Sequence, residues 1–76
     1  MNRFLIEFGK NIKKERELRS QTLHDMEFHT GIDSSDFNKI EQGKTNITFR
    51  TFLKIAQGLK IQPKELLNFK VDLSKD

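Results

Sequence analysis

Apolar residues recur along this chain three and four positions apart, the period of helices that each bury one face. Phe4 and Leu5, then Phe8, Ile12 and the level of Glu15 and Arg16, predict a first helix over about Asn2 to Leu18, with Lys10, Lys13, Lys14 and Glu17 mostly outward. Ser20-Gln21 breaks the pattern, and Thr22 is placed to cap a second helix. Its hydroxyl can accept a backbone N–H near Asp25, whose carboxylate also suits the positive end of the helix dipole. Leu23 and Met26 face inward. Gly31 stands where a helix ends in a left-handed residue, Ile32 follows as an apolar anchor, and Asp33 caps a third helix whose inward pair is Phe37 and Ile40.

Gly43 stops that third helix, and Lys44-Thr45-Asn46 forms a polar loop before Ile47. Thr48 opens a fourth helix with Phe49, Phe52, Leu53, Ala56 and Leu59 on a wide apolar face. Pro63 suits the first turn of a fifth, short helix, where its missing N–H costs nothing, and Leu66 and Leu67 close it. Beyond Asn68, Phe69, Val71 and Leu73 alternate with Lys70, Asp72 and Ser74, the chain's only strand-like pattern. That stretch has three readings: pairing with its mate across a dimer, docking on the domain, or fraying. The pattern predicts an all-α fold of five helices, with one domain over residues 1–68 and a short tail over 69–76.

Length and composition narrow this picture. Seventy-six residues without cysteine make one small domain that folds on packing alone, with no disulfide or cysteine-held metal to staple it. The longest apolar run is Phe4-Leu5-Ile6, far short of a membrane span, and no secretion signal pattern opens the chain. A reduced, cytoplasmic location is the expectation. The net charge of +3 is unevenly distributed. Residues 1–19 carry six basic and three acidic side chains, residues 20–42 one and five, and residues 43–76 seven and three, so two basic ends bracket an acidic middle.

Two short helices joined through Thr30-Gly31-Ile32 have the dimensions of a helix-turn-helix unit sharing a core of Met26, Ile32, Phe37 and Ile40. Taken alone, a glycine between two helices fits a plain helical hairpin more readily than a nucleic-acid reader. A set of linked segments adds to it. Phe8-Gly9-Lys10-Asn11-Ile12-Lys13-Lys14-Glu15-Arg16, Gly31-Ile32-Asp33, Ile40-Glu41-Gln42-Gly43-Lys44, Phe52-Leu53-Lys54-Ile55-Ala56-Gln57-Gly58-Leu59 and Ile61-Gln62-Pro63-Lys64-Glu65-Leu66-Leu67 stand in this order. Together they resemble the Cro/repressor (Xre-type) helix-turn-helix family over about Phe8 to Leu67.

The resemblance implies a lambda-repressor-like domain and assigns roles residue by residue. A partly buried ion pair between the first and third helices falls on Arg16 and Glu41. Base-reading positions fall on Ser34, Ser35, Asn38 and Lys39, and the phosphate-contacting loop on Lys44, Thr45 and Asn46. The chemistry suits these roles, since Asn pairs with adenine through two hydrogen bonds, Lys donates to guanine acceptors, and Ser serves base or phosphate. Family dimers commonly meet through the fourth and fifth helices, which places Phe49, Leu66 and Leu67, with Phe69 beyond them, as interface candidates. For the first three the alternative is a place in the monomer core.

Several positions depart from the family pattern. Leu23 replaces the glutamine that touches phosphate at the start of the second helix, so that contact is missing unless Gln21 or Thr22 substitutes for it. Glu27 stands beside Met26 where a small residue is usual, and its carboxylate must reach solvent or find a cation. Phe28 fills an outward, usually polar position. Asp33 and Asp36 sit at the mouth of the reading helix with Lys39 as its only cation, leaving affinity to Lys44, the helix N-termini and basic residues such as Lys10, Lys13, Arg50 or Lys54.

Other chemistry is weak. His24 and His29, five apart, point to different faces rather than to one metal, and the four glycines never form a phosphate-cradling loop. No enzyme, metal, cofactor, membrane contact or small-molecule ligand is expected. The expected function is a transcriptional regulator that binds double-stranded DNA as a homodimer on a pseudo-palindromic operator. Phage repressors, antitoxins and restriction-modification controllers all remain open, with Asn46-Ile47-Thr48 leaning toward the controllers. The alternative is a protein-interaction module that keeps the fold without reading DNA, using Phe28 and the acidic unit.

Overall fold

The computed structural model describes residues 3–75. Within them the chain forms four α-helices: α1 (Arg3–Leu18), α2 (Leu23–Thr30), α3 (Ser34–Glu41) and α4 (Phe49–Leu59). Two short 3₁₀ turns, Pro63–Leu67 and Leu73–Lys75, complete the order of elements. The expected start of the first helix at Asn2 lies outside the described residues.

Local signals set the helix ends. Thr22 Oγ1 accepts the Asp25 N–H at 3.0 Å while the Thr22 N–H donates to Asp25 Oδ2 at 2.8 Å, a reciprocal capping box that opens α2. Gly31, at φ +76°, closes α2 by donating its N–H to the Glu27 carbonyl. A Cβ there would meet open space, so the glycine serves backbone conformation and not room. Thr48 caps α4 through the Thr51 N–H. At the other end of α4 it is Lys60, at φ +59°, that adopts the left-handed cap, with no glycine to relieve the strain.

The helices wrap one core of Phe8, Ile12, Met26, Phe37, Ile40, Phe52, Ile55, Ala56, Leu59 and Leu66. α3 lies between α1 and α2, while α4 packs on α2. The first 3₁₀ turn closes the space between α1 and α4. α1 and α3 meet backbone to backbone at Gly9, where a Cβ would stand only 2.6 Å from the Ile40 carbonyl oxygen and closer still to that of Glu41.

Two expectations change. The inward face of α4 is Phe52, Ile55, Ala56 and Leu59, with Ile55 fully buried; Phe49 is 83% exposed and Leu53 also faces solvent. The two faces differ by a modest rotation of the helix, and contact with α2 and the 3₁₀ turn selects one. The fifth helix is a 3₁₀ turn. Asn11, buried on α1, donates its Nδ2 to the carbonyls of Glu65 (3.0 Å) and Leu66 (2.9 Å), the acceptors that a continuing α-helix would need. The all-α expectation holds, with no strand among the described residues, and of the three readings of the tail docking is the one seen at Phe69. The Phe69 ring docks on the domain against Phe4 and Phe8, with ring centroids 5.4 and 6.3 Å away.

Candidate nucleic-acid interface

The turn between α2 and α3 is tied internally before α3 begins. Thr30 is buried, donates its hydroxyl to the Met26 carbonyl at 2.6 Å and accepts the Ile32 N–H at 3.1 Å. It links the end of one helix to the approach of the next. A threonine four residues after Met26 and just before the glycine is the sequence signal for this bond.

Asp33 caps α3, its Oδ1 accepting the Ser35 N–H at 2.8 Å and the Ser35 hydroxyl. These bonds hold the Asp33 carboxyl below the usual carboxylate range, with the Ser35 hydroxyl the largest cause and the Ser35 amide next. Glu27 supplies a second cap. Its Oε1 accepts the Ser34 N–H at 3.0 Å, so its carboxylate finds a backbone amide where sequence reasoning foresaw solvent or a cation. The partner lies seven residues on, across a turn, and no local pattern announces it.

α3 turns Phe37, Ile40 and Glu41 into the protein. At about 100° per residue, Ser34, Ser35, Asn38 and Lys39 fall on one arc on the other side. Ser35 and Lys39 are exposed, Ser34 and Asn38 half-buried at its margin, and Asp36 exposed beside it. The chain then leaves α3 tightly: the Gln42, Gly43 and Lys44 amides donate to the carbonyls of Asn38, Ile40 and Lys39, each at 3.0 Å. That carries exposed Lys44 and Asn46, with half-buried Thr45 between them, directly off the end of this arc. Thr22 is exposed at the N-terminus of α2. Gln21 is not equivalent, because its Nε2 turns back to the Arg19 carbonyl and its Oε1 is buried without a hydrogen-bond partner.

Behind this surface Arg16 and Glu41 join α1 to the end of α3. Nε and Nη2 of Arg16 donate to Oε2 (2.6 Å) and Oε1 (3.0 Å) of Glu41, and Nη1 donates to the Gln21 carbonyl at 2.8 Å. Both side chains are buried, and the hydrogen bond to Glu41 raises the Arg16 pKa above its ordinary value.

The interface candidates divide. Leu66 has no exposed surface and belongs to the protomer core. Phe69 is half-buried on α1, while Phe49 and Leu67 are exposed. The latter two border a groove of about 310 Å³ whose floor includes Phe4, Phe8, Ile47 and Phe52. Phe28 is 85% exposed on α2, its ring edge-on to His29 at 5.4 Å. His24 and His29 are both exposed.

Comparison with known proteins places this arrangement. No curated protein sequence matches the chain significantly. Among solved structures, the restriction-modification controller protein C.AhdI from Aeromonas hydrophila is similar, with a TM-score of 0.80 at 31% identity, covering 82% of this chain and 94% of that one. A family model described as a helix-turn-helix domain matches residues 9–70, which span all of the interface just described except part of α1. The chain therefore belongs to the Cro/repressor (Xre-type) helix-turn-helix domain family.

Proposed function

We propose that this protein is a sequence-specific DNA-binding transcriptional regulator that acts as a homodimer on a pseudo-palindromic operator. One observation carries the reading: Ser34, Ser35, Asn38 and Lys39 share the outer arc of a helix whose inner face is locked by Phe37, Ile40 and the buried Glu41. Such a helix presents base-contacting groups on a rigid support, and Lys44 follows it to meet phosphate. The likeness to C.AhdI supports the controller type of regulator within this class.

The acidity of residues 20–42 weighs less in the folded protein than in the sequence. Arg16 neutralises Glu41, while Asp33 is bonded to the Ser35 amide and hydroxyl at the start of α3. Exposed Asp36 and the unpaired charge of Glu27 remain repulsive, so one protomer binds weakly and pairing of two supplies the affinity. Phe49 and Leu67, exposed beside an apolar groove, support the contact between protomers. A two-fold dimer sets its reading helices about 34 Å apart, in successive major grooves.

The test is the double substitution Asn38→Ala/Lys39→Ala. It abolishes preference for the operator in a fluorescence-anisotropy titration and leaves the thermal midpoint nearly unchanged, because neither side chain lies in the core. Unaltered discrimination by that variant would refute the assigned reading face.

A further inference from the structure

Glu27 sits where the family resemblance implies a small residue, and the structure gives it a defined task. Its half-buried side chain crosses from α2 to α3, with Oε1 on the Ser34 N–H, while Asp33 holds the Ser35 N–H. The first two amides of α3 are the donors that a phosphate at the helix start would use. Both are occupied by the protein's own carboxylates. Among the described residues Glu27 takes part in no ion pair, so no cation cancels its charge beside the reading arc.

We propose that Glu27 is a positioning and specificity-determining residue of the reading helix. Its carboxylate fixes the start of α3 against α2 and keeps DNA phosphate off that helix end, so discrimination rests on the side chains of α3. The inference depends on the DNA-binding reading above. In a specific complex the arc of α3 lies in the groove and the side chains contact bases. In a non-specific complex the same helix end rides on the backbone, where a carboxylate on the first amide is directly unfavourable.

Two variants separate the parts of this role. Glu27→Gln keeps an oxygen acceptor of the same reach for the Ser34 N–H and loses the charge; Glu27→Ala loses both. The probes are a duplex of about 30 base pairs enriched by the wild-type protein from a randomised pool, long enough for two half-sites, and a scrambled duplex of equal length. Each is titrated at several salt concentrations. Glu27→Gln is expected to bind the scrambled duplex roughly threefold more tightly, the scale of one surface charge. Its salt slope should steepen by about one per protomer, with a smaller change on the enriched duplex. Glu27→Ala is expected to lose roughly tenfold on the enriched duplex as well, a factor that a single misplaced contact supplies.

A residue that only supported folding would lower both affinities together, and Gln would restore them to wild-type values. Scrambled-duplex affinity and salt slope identical in wild type and Glu27→Gln would therefore overturn the proposal and leave the DNA-binding reading standing. Failure of the wild-type protein to enrich or bind any duplex would overturn that reading and the proposal with it. If Glu27→Ala does not fold, the Gln variant alone decides.

Discussion

Replacing Arg16 with Met tests how α1 holds the end of α3. Met preserves most of the apolar stem and removes the guanidinium, which makes two hydrogen bonds to Glu41 and a third to the Gln21 carbonyl. The Glu41 side chain is only 3% exposed, so the substitution strands a buried carboxylate and a partly buried carbonyl. Removing one partner of such a pair costs about 3–5 kcal/mol, most of it the uncompensated charge. At roughly 0.05–0.15 kcal/mol per residue, a chain of 76 residues has about 4–11 kcal/mol in total. Arg16→Met should therefore leave a marginal or unfolded protein. The pair itself adds little net stability, since two well-packed apolar residues can replace it at small cost. Arg16→Met/Glu41→Leu should then regain most of the loss. Urea denaturation followed by far-UV circular dichroism measures both. A single-variant cost below about 1 kcal/mol, or a double variant no more stable than the single, would refute this account.

Three further outcomes are expected. Gly9→Ala should destabilise by about 1–3 kcal/mol in the same urea assay, because the new Cβ collides with the backbone carbonyls of Ile40 and Glu41 and the two helices must separate. Lys60→Gly should raise the thermal midpoint by several degrees, since Lys60 holds a left-handed conformation that costs about 1 kcal/mol or more without its own Cβ being needed. The caps also impose a pH dependence. Asp25 is held below its ordinary value first by the Thr22 amide and then the Thr22 hydroxyl, and Asp33 first by the Ser35 hydroxyl and then the Ser35 amide. Because the folded state favours their ionised forms, this stabilisation is complete above the unfolded carboxylate pKa of about 4 and drains away as pH falls through the lower folded values. Asp25→Asn and Asp33→Asn should each lose less stability than wild type between about pH 5 and pH 2, measured by urea midpoints.

What was legible in the sequence follows the range of the interactions involved. The ends of α2 and α3 were readable because Thr22, Asp25, Gly31 and Asp33 act on amides and carbonyls within a few residues of themselves. The outward arc of Ser34, Ser35, Asn38 and Lys39 followed from helical periodicity once Phe37 and Ile40 were placed inside, while its assignment to base reading came from the family resemblance alone. The last turn was not readable, because the carbonyls of Glu65 and Leu66 are claimed by Asn11, more than fifty residues away. The α4 face was ambiguous for a related reason: Phe49, Leu53 and Ile55 are all apolar, and only contact with α2 and the 3₁₀ turn decides that Ile55 is inside. Glu27 escaped because its chemistry depends on where α3 begins in space.

The most direct test of the central claim is an anisotropy titration of the purified protein against duplex from the region upstream of its own coding sequence, beside a scrambled duplex, at two salt concentrations. A preference of about 10³ or more for the upstream duplex, with a steep fall in affinity at higher salt, is the predicted result. Equal, weak binding to both duplexes would contradict sequence-specific reading of that region and would turn attention to Phe28 and the acidic unit as a surface for a protein partner.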